Sequence, residues 1–313
     1  MSKFLVTGGA GFIGSEIVEK LVGQSHEVVV VDDLSTGKMS NLNLVINNPL
    51  FTFVNGNIED FELMKKVSSG VDYIIHQAAL VSVPKSIIEP INNHNRNING
   101  FLNILECMRI NKIKRLVYAT SSAVYGTDDA FIKTEDVIGK TISPYALAKY
   151  IDELYADLYE RIYGVKTVGL RYFNVYGPKQ DPSSAYSGVI SIFFDRLLKG
   201  KDITIYGDGQ VTRDFINVKD VAKANIMAAT LDSVKTGEVY NIGTGVKTSI
   251  LDLAKIIVKV TNSNNKILFD KARDGDILYS CANTKKAKDT FGFNYEVELE
   301  KGLSEIYNYL NTK

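Results

Sequence analysis

The sequence predicts an α/β protein with a Rossmann-like, doubly wound parallel sheet and a smaller C-terminal α/β lobe. Apolar strand-like runs alternate with longer helical patterns through the first half of the chain, as a parallel sheet with crossover helices requires. In addition, the first run leads into a glycine-rich turn that opens a helix, and ligands of open α/β sheets bind at this kind of turn.

Six short apolar runs are the strand candidates of the first half, and long helical patterns separate most of them. The strands are expected at 3–7, 27–31, 51–54, 72–76, 114–119 and 166–170, and the helices at 12–24, 92–111 and 144–163. After residue 174 the alternation loosens, with strands expected at 203–206 and 238–242 and helices at 189–199, 218–231 and 249–261. We expect a nucleotide-binding domain over 1–174, to which some later segments return, and a substrate-binding lobe over 175–313.

The composition limits the class of function. The chain of 313 residues has 36 basic and 36 acidic side chains, so its net charge is zero and no basic patch argues for nucleic acid. No apolar run reaches the length of a membrane span, and no signal peptide precedes the first strand. Cys107 and Cys281 are the only cysteines, which suits a reducing compartment. We expect a soluble cytoplasmic protein without a membrane segment or a metal site.

The turn after the first strand has the pattern of a dinucleotide site. Gly8, Gly11 and Gly14 fall where the backbone must turn tightly, approach a ligand and let a helix pack on a strand. The helix that follows aims its first N–H groups at a diphosphate. Asp32 ends the next strand, where a carboxylate binds ribose hydroxyls and repels a 2′-phosphate. This predicts NAD rather than NADP, and the alternative for Asp32 is a solvated loop acid.

A tyrosine and a lysine stand four residues apart at the start of the predicted helix 144–163. Ser143 has the residue type of an N-cap, and Pro144 suits the first helical position. Tyr145 and Lys149 share one helical face, and an ammonium beside a phenol favours the phenolate, which is a general base. In a chain rich in tyrosine and lysine this spacing also occurs by chance, so the pair is weak evidence alone.

Ser121 strengthens the prediction because it follows the strand expected at 114–119, at the carboxyl edge of the sheet. Its hydroxyl is predicted to reach the same substrate oxygen as Tyr145, and the alternative is a turn residue that caps the loop. The sequence has no Gly-x-Ser-x-Gly elbow and no histidine partner for a serine nucleophile, which argues against a serine hydrolase.

Six ordered motifs extend this pattern over nearly the whole chain. They are Thr7-Gly-Gly-Ala-Gly-Phe-Ile-Gly14, His76-Gln-Ala-Ala79, Ser121-Ser-Ala-Val-Tyr125, Tyr145-x-x-x-Lys149, Arg171-Tyr-Phe-Asn-Val-Tyr-Gly-Pro178 and Arg213-Asp-Phe-Ile-Asn-Val-Lys-Asp220. Together they resemble the extended short-chain dehydrogenase/reductase family, and within it the NAD-dependent UDP-hexose 4-epimerases, including UDP-N-acetylglucosamine 4-epimerases.

The resemblance implies a reaction and a role for each catalytic residue. Tyr145 takes the proton from the sugar O4, Lys149 favours the phenolate and binds the nicotinamide ribose, and Ser121 positions O4. NAD takes the C4 hydride, and the 4-keto sugar turns about its diphosphate link before the hydride returns to the other face. The cofactor is therefore regenerated in each turnover.

The resemblance also implies two sets of binding residues. Besides the catalytic three, the cofactor set is Gly8, Gly11, Phe12, Ile13, Gly14, Asp32, Asp33, Leu34, Ser35, Asn57, Ile58, Ala78, Ala79, Leu80, Asn97 and Phe173. The substrate set is Ser82, Ser122, Asn174, Gln180, Gly188, Val189, Ile190, Ile205, Tyr206, Arg213, Arg273, Asp276 and Ser280. In the second set the arginines resemble diphosphate ligands, for which guanidinium forks are suited, and their alternative is a surface ion pair.

The residues after Ser121 favour epimerisation over the family's other reactions. Related dehydratases and a sugar-acid decarboxylase carry acidic residues there, whereas this chain has Ser122 and Ala123. Ser280 stands where epimerases limited to unacetylated hexoses have a bulky tyrosine, which leaves room for an acetamido group. Val81, where a glycine is usual, argues against strict selectivity.

We therefore expect interconversion of UDP-N-acetylglucosamine and UDP-N-acetylgalactosamine, with UDP-glucose and UDP-galactose accepted too. A 4-epimerase of UDP-uronic acids or N-acetylated uronic acids is the alternative enzyme, and an ordinary dehydrogenase that releases NADH is another. A non-catalytic NAD-binding regulator is the alternative from a different class. Relatives of this kind pair the helices expected at 92–111 and 144–163 across a two-fold axis, so a homodimer through a four-helix bundle is implied. The alternative is that both helices only pack on the sheet.

Overall fold

The computed structural model describes residues 1–180, 188–272 and 279–312. The strands of the first half are β1 (Lys3–Thr7), β2 (Glu27–Asp32), β3 (Phe51–Asn55), β4 (Tyr73–His76), β5 (Arg115–Ser121) and β6 (Thr167–Tyr172). The later strands are β7 (Asn174–Tyr176), β8 (Ile203–Tyr206), β9 (Thr212–Arg213), β10 (Phe215–Asn217), β11 (Glu238–Ile242), β12 (Thr248–Ser249), β13 (Ile267–Asp270) and β14 (Tyr279–Ser280). Each predicted strand is present within two residues of its expected ends.

The main sheet has the order β11-β6-β5-β4-β1-β2-β3, with every neighbouring pair parallel. Because the chain runs outward from β1 in both directions, the carboxyl ends of β1 and β4 form a switch point that leaves a crevice. The predicted Rossmann-like, doubly wound sheet is confirmed. β11 comes from the second half of the chain and extends this sheet beside β6. The domain boundary after residue 174 stays a prediction.

The helices are α1 (Phe12–Gly23), α2 (Phe61–Val67), α3 (Val83–Ile88), α4 (Pro90–His94), α5 (Gly100–Asn111), α6 (Pro144–Tyr163), α7 (Val189–Leu198), α8 (Val218–Thr230), α9 (Ile250–Thr261), α10 (Lys285–Phe291) and α11 (Leu299–Asn311). Apolar side chains of α1 and α8 cover one face of the main sheet, and those of α2, α5 and α6 cover the other. In β1, Phe4 and Val6 face the first layer and Leu5 the second, so the strand is apolar on both sides, as parallel strands are.

A smaller core lies between α7, α9 and α11 and the strand β8. β8 pairs with β13, and β7 pairs with β10, so these short strands form small sheets outside the main one. This lobe stands over the carboxyl edge of the main sheet, since residues from β7 and the start of α7 line the cleft described below.

The helix expected at 92–111 differs from the prediction. It is divided into α4, one π-helical turn at Asn95–Asn99, and α5. A π-turn inserts extra backbone into a helix and often marks a functional site. Here the turn contains Asn97, whose amide reaches the backbone of the loop after β4. The π-helical turn therefore directs the Asn97 side chain toward this loop, whereas an uninterrupted helix would direct it elsewhere.

The apolar residues on the helices expected at 92–111 and 144–163, which a dimer would pair, include both buried and exposed side chains. Ile98 and Leu105 are buried in the protein, so they offer nothing to a partner. Leu154 and Ile162 of α6 are exposed, together with Leu147 on the same helix. Within the described ranges, no helix combines the length and the apolar character that crossing a bilayer requires.

Candidate active site

A cleft of about 470 Å³ opens at the carboxyl ends of β1, β4, β5 and β6. Many residues predicted from the sequence line it together: Gly8, Gly11, Phe12, Ile13, Gly14, Asp32, Asp33, Ser35, Asn57, Ile58, Ala78, Ala79, Ser121, Tyr145, Lys149, Phe173, Asn174, Gln180, Gly188, Val189 and Ile190. The glycine turn, the predicted catalytic residues and part of the predicted substrate set thus share one cleft.

The glycine turn makes a cradle that side chains would fill. Gly8 has a φ of +68°, and a Cβ there would lie 2.6 Å from the backbone nitrogen of Ala78. A Cβ on Gly14 would lie 2.1 Å from the Gly8 carbonyl oxygen, so both positions need glycine. Gly11 occupies the N-cap of α1 and supplies no side-chain cap. The first N–H groups of α1 therefore point into the cleft, and this cradle fits a dinucleotide diphosphate.

Asp32 is fixed at the end of β2 by two backbone donors. Its Oδ2 accepts from the Ala10 N–H at 2.9 Å, and its Oδ1 accepts from the Leu34 N–H at 2.9 Å. Burial raises the pKa of Asp32, while these two hydrogen bonds oppose that rise. Each carboxylate oxygen has a second lone pair, which the hydroxyls of a ribose can use. Leu34 itself stays outside the lining of the cleft, so its part is to orient the carboxylate.

Arg96 lines the same end of the cleft, although it belongs to none of the sequence motifs. Its Nη1 donates to Ser35 Oγ at 2.9 Å and lies 3.3 Å from Asp33 Oδ2. Burial alone would raise the pKa of Asp33, but hydrogen bonds from Ser35 and the Arg96 charge hold it below its usual value. Arg96 thus ties the π-helical turn to the loop after β2, beside Asp32.

The loop after β4 is held from behind by Asn97. The Asn97 Oδ1 accepts from the Leu80 N–H at 2.7 Å, and its Nδ2 donates to the Leu80 carbonyl at 3.1 Å. Both residues are buried and lie outside the lining of the cleft, whereas Ala78 and Ala79 form its wall. The structure therefore gives Asn97 the task of shaping the wall, and a direct contact with the cofactor stays a prediction.

The predicted start of α6 is confirmed. Ser143 is the N-cap, where its side chain accepts from the Ala146 N–H at 3.1 Å, and Pro144 is the first helical residue. The backbone N–H of Tyr145 donates to Ser86 Oγ at 3.2 Å, and Asn93 Nδ2 donates to the Pro144 carbonyl at 3.1 Å. Side chains of α3 and α4 therefore fix the turn that carries Tyr145.

Ser121 caps a short 3₁₀ helix and still has a hydrogen to give. Its Oγ accepts from the Ala123 N–H at 3.1 Å. A hydroxyl that accepts in this way keeps its own O–H as a donor. The capping role and the predicted role toward a substrate oxygen are therefore compatible.

Lys149 is 2% exposed, and its Nζ lies 3.1 Å from Oδ2 of Asp152, which is fully buried. Sequence reasoning did not single out Asp152, although its place three residues after Lys149 puts both on one face of α6. Burial raises the pKa of Asp152 to about 7, although the Lys149 charge acts against the rise.

His76 stands close to these groups but is unsuited to proton transfer. Its Nδ1 lies 2.7 Å from Thr7 Oγ1, which joins β4 to β1. Complete burial, with a smaller effect of the Lys149 charge, lowers the pKa of His76 to about 3. The imidazole is therefore neutral at working pH, and its contact with Thr7 gives it a structural role.

At the sugar-nucleotide end, Asn174, Gln180 and Gly188 lie around the cleft. Asn174 Nδ2 donates to the Asp214 carbonyl at 3.1 Å, and Gln180 Oε1 accepts from Ser191 Oγ at 3.2 Å. These contacts hold Asn174 against the residue that precedes β10 and Gln180 against α7.

Other predicted residues are placed differently. Ser82, Ser122, Ile205, Tyr206, Arg213 and Ser280 lie outside the lining of the cleft. Ile205 is buried in the core of the second lobe, because that face of β8 packs on α9. Ser280 and Arg213 are paired neighbours on β14 and β9. Arg273 and Asp276 lie outside the described residues.

The described part of the chain contains no group of three or more metal-ligating side chains that could hold an ion. The polar side chains that line the cleft carry hydroxyls, amides, the Lys149 ammonium, the Arg96 guanidinium and the carboxylates of Asp32 and Asp33. The chemistry that this set supports is proton transfer beside a bound dinucleotide.

Comparisons with known proteins agree with this geometry. Residues 4–243 match the model of the NAD dependent epimerase/dehydratase family. The chain is 42% identical to a putative UDP-glucose 4-epimerase of Methanocaldococcus jannaschii, over 98% of this chain and 97% of that one.

Two solved structures are similar along their whole length. One is a UDP-glucose 4-epimerase of Thermotoga maritima with UDP-glucose, at 38% identity and a TM-score of 0.92, covering 99% of both chains. The other is a UDP-N-acetylglucosamine 4-epimerase of Methanobrevibacter ruminantium in complex with UDP-N-acetylmuramic acid, at 38% identity and a TM-score of 0.94, covering 99% of this chain and 98% of that one. These matches agree with a cleft that is lined by the glycine cradle, Asp32, Ser121, Tyr145 and Lys149. The chain belongs to the NAD-dependent epimerase/dehydratase family, among its UDP-sugar 4-epimerases, and its cofactor is NAD.

Proposed function

We propose that this enzyme interconverts UDP-N-acetylglucosamine and UDP-N-acetylgalactosamine, and that it also accepts UDP-glucose and UDP-galactose. The observation that carries the proposal is that Ser121, Tyr145 and Lys149 line the same cleft as the glycine cradle. Ser122 and Ala123 follow Ser121, so the acids that an elimination needs are missing at those positions.

The three side chains divide the proton transfer among them. Tyr145, as phenolate, removes the proton from the sugar O4 and later returns one. The Lys149 ammonium favours that phenolate by its charge, and the Ser121 O–H donates to O4 and holds it in place. When bound, NAD supplies the hydride acceptor and donor at C4. The cradle of Gly8, Gly11 and Gly14 and the Asp32 carboxylate would hold the cofactor through its diphosphate and adenosine ribose.

We attribute the acceptance of N-acetylated sugars to small or amide side chains among the residues assigned to the sugar. Gln180 lines the cleft beside Gly188. Ser280 and Ser122, which lie outside the lining of the cleft in this structure, are assigned to the sugar by the resemblance alone. Among the similar solved structures, one acts on UDP-glucose by its name and one on UDP-N-acetylglucosamine. This mixture supports a site with room for an acetamido group and no requirement for it.

The experiment is product analysis with the purified protein and its bound NAD. UDP-N-acetylglucosamine, UDP-glucose and UDP-glucuronic acid are incubated separately, and the epimers are separated by chromatography. We expect the 4-epimer from the first two, with no net gain of absorbance from NADH. Conversion of the uronic acid alone would overturn the proposal in favour of the other epimerase. Stoichiometric NADH release would identify an ordinary dehydrogenase.

For the assembly, we propose a homodimer in which α6 packs on a second copy. Leu147, Leu154 and Ile162 of α6 are exposed and recur along one side of the helix. Sedimentation should give the mass of a dimer for the wild type and of a monomer for Leu154→Glu. The matched change Leu268→Glu, at an exposed residue of β13, should leave the dimer intact. A monomeric wild type would contradict the proposal.

We further propose that the protein works in the cytoplasm. Cys107 and Cys281 are both buried free thiols, which suits a reducing compartment. Fractionation of the native host with an antibody would test the location, and recovery outside the cytoplasmic fraction would contradict it.

A further inference from the structure

Asp152 is a buried acid that the reaction above does not use. It is fully buried, its Oδ2 lies 3.1 Å from the Lys149 Nζ, and among the described residues its Oδ1 has no hydrogen-bond partner. We propose that Asp152 is a positioning residue that holds the Lys149 ammonium charged and in place, and thereby sets the upper pH limit of catalysis. The proposal rests on the function proposed for Tyr145 and Lys149.

The geometry places Asp152 where it acts on Lys149. Tyr145, Lys149 and Asp152 follow one another at spacings of four and three residues, so they share the face of α6 that meets the cleft and the sheet. Lys149 is nearly as buried as Asp152. Removal from water disfavours the charged form of an ammonium, and a neighbouring anion favours it. The Asp152 carboxylate is the counter-charge that stands next to this buried lysine.

Other ionisable groups near Lys149 do not serve this purpose. Glu153, on the same helix, is paired with Arg171 of β6 and accepts from Thr120 of β5. Its charge is thus already compensated. His76 of β4 is held neutral by burial, which lowers its pKa to about 3.

Tyr118 of β5 stays a neutral phenol as well. Burial raises its pKa well above the usual value, and the charges of Glu153 and Asp152 add to this. Among the described groups that face Lys149 from α6, β4, β5 and β6, Asp152 is therefore the anion in direct contact with it.

A contribution to the stability of the fold does not explain why a carboxylate is buried at Asp152. Burial raises the pKa of Asp152 to about 7, from an ordinary value near 3.8. A raised pKa means that the stabilising contribution of the protonated acid is present below about pH 4 and is lost as the pH rises to about 7. Above that pH the ionised acid lowers the free energy of unfolding, as buried ion pairs often do. Since the ionised Asp152 lowers the free energy of unfolding at the pH where the enzyme works, its presence points to a role in activity.

The test is Asp152→Asn in the NAD-loaded enzyme, with kcat/KM measured from pH 5.5 to 9.5. Below about pH 6 the wild-type acid is protonated and resembles asparagine, so the two proteins should agree within about twofold. Above about pH 7 the variant should lose activity, with its alkaline limb about one pH unit lower, because its lysine lacks a counter-charge. Meanwhile the free energy of unfolding of the variant, relative to wild type, should rise between pH 4 and 7.

Two further variants distinguish a positioning role of Asp152 from a purely structural one. Asp157→Asn, at an exposed acid of the same helix that pairs with Arg161, should leave the pH profile unchanged. Asp152→Glu keeps the charge and should restore part of the alkaline limb. An equal loss of activity at every pH together with lower stability would overturn the proposal, as would an unchanged profile.

A second readout does not depend on turnover. The protonation of Lys149 can be followed by NMR of lysine labelled with ¹³C at Cε, with the signal assigned through Lys149→Met. In Asp152→Asn this lysine should lose its proton at a lower pH than in the wild type. Identical titrations would overturn the inference, whatever the substrate proves to be. A wild type that converts no UDP-sugar would instead overturn the proposed function.

Discussion

Arg171 of β6 and Glu153 of α6 form a buried ion pair with two parallel hydrogen bonds. The Arg171 Nε donates to Glu153 Oε1 at 2.9 Å, and its Nη2 donates to Glu153 Oε2 at 2.7 Å. Glu153 also accepts from Thr120 Oγ1 at 2.7 Å. The helix that carries Tyr145 and Lys149 is thereby fixed to two strands of the main sheet, and the geometry of the catalytic face depends on this pair.

We expect Glu153→Gln to destabilise the protein strongly. The substitution leaves the Arg171 guanidinium buried without a counter-charge, and breaking a buried pair in this way costs about 3–5 kcal/mol. Urea unfolding at pH 7 measures the loss. The matched control is Asp157→Asn, which breaks the exposed pair with Arg161 on the same helix and should leave the free energy of unfolding nearly unchanged. Equal effects of the two changes would contradict the importance of the buried pair.

Tyr145→Phe should remove turnover and little else. The ring keeps its place at the start of α6, but the proton acceptor for O4 is lost, and general bases contribute about 10²–10⁴ in rate. We expect kcat to fall by that factor, with bound NAD and the melting temperature unchanged. Tyr163→Phe, at the exposed end of the same helix, is the control and should keep full activity. Turnover of Tyr145→Phe at the wild-type rate would refute the assigned mechanism.

Gly14→Ala should displace the cofactor. The added Cβ would lie 2.1 Å from the Gly8 carbonyl oxygen, so the backbone of the cradle must move. Overpacking of this kind costs about 1–3 kcal/mol, and the moved amides no longer match a diphosphate. The NAD content of the purified protein measures the effect. Gly23→Ala meets nothing within 4 Å at the other end of α1, so it should retain NAD and gain up to about 1 kcal/mol of stability.

His76 should make the fold sensitive to acid. Burial lowers its pKa to about 3, whereas an imidazole in the unfolded chain binds a proton near pH 6.5. Its contribution to stability is therefore complete above about pH 6.5 and is lost as the pH falls toward 3.

We expect His76→Gln to flatten the pH dependence of the unfolding free energy between pH 6 and 4. Because the variant takes up one proton fewer when it unfolds, the slope of its unfolding free energy against pH is smaller by about 1.4 kcal/mol per pH unit. The slope is diagnostic even if the substitution costs stability at every pH. An unchanged slope for His76→Gln would show that its imidazole titrates equally in both states.

The elements that the sequence predicted are those whose signals are local. The buried run Phe4–Val6 and the cap at Ser143 act within a few residues, and both strand and helix formed as expected. The π-helical turn was missed because the contact that accompanies it is distant in sequence, since Asn97 holds the backbone of Leu80. The burial of individual charged side chains could not be predicted from the sequence either. The spacing of Asp152 from Lys149 is visible in the sequence, but only the packed helix removes both from water.

The placement of the substrate residues shows the same limit. Ile205 was expected among the substrate residues but is buried in the second core, because which face of a short strand packs inward depends on its neighbours. Arg96 carries no motif, and its contacts with Ser35 and Asp33 arise only when the π-helical turn meets the loop after β2.

Ser280→Tyr should narrow the choice of sugar. Ser280 lies on β14 beside Arg213 of β9, and the added ring would occupy the volume that we assign to the acetamido group. Loss of room for one such group is worth about 1–3 kcal/mol, so kcat/KM for UDP-N-acetylglucosamine should fall about 10–200-fold while that for UDP-glucose stays nearly constant. Thr248→Tyr, on β12 at the other edge of β9, is the control and should not change the ratio. If both substrates lose activity equally in Ser280→Tyr, the residue does not face C2 of the sugar, and selectivity then lies with Gln180 and the residues around it.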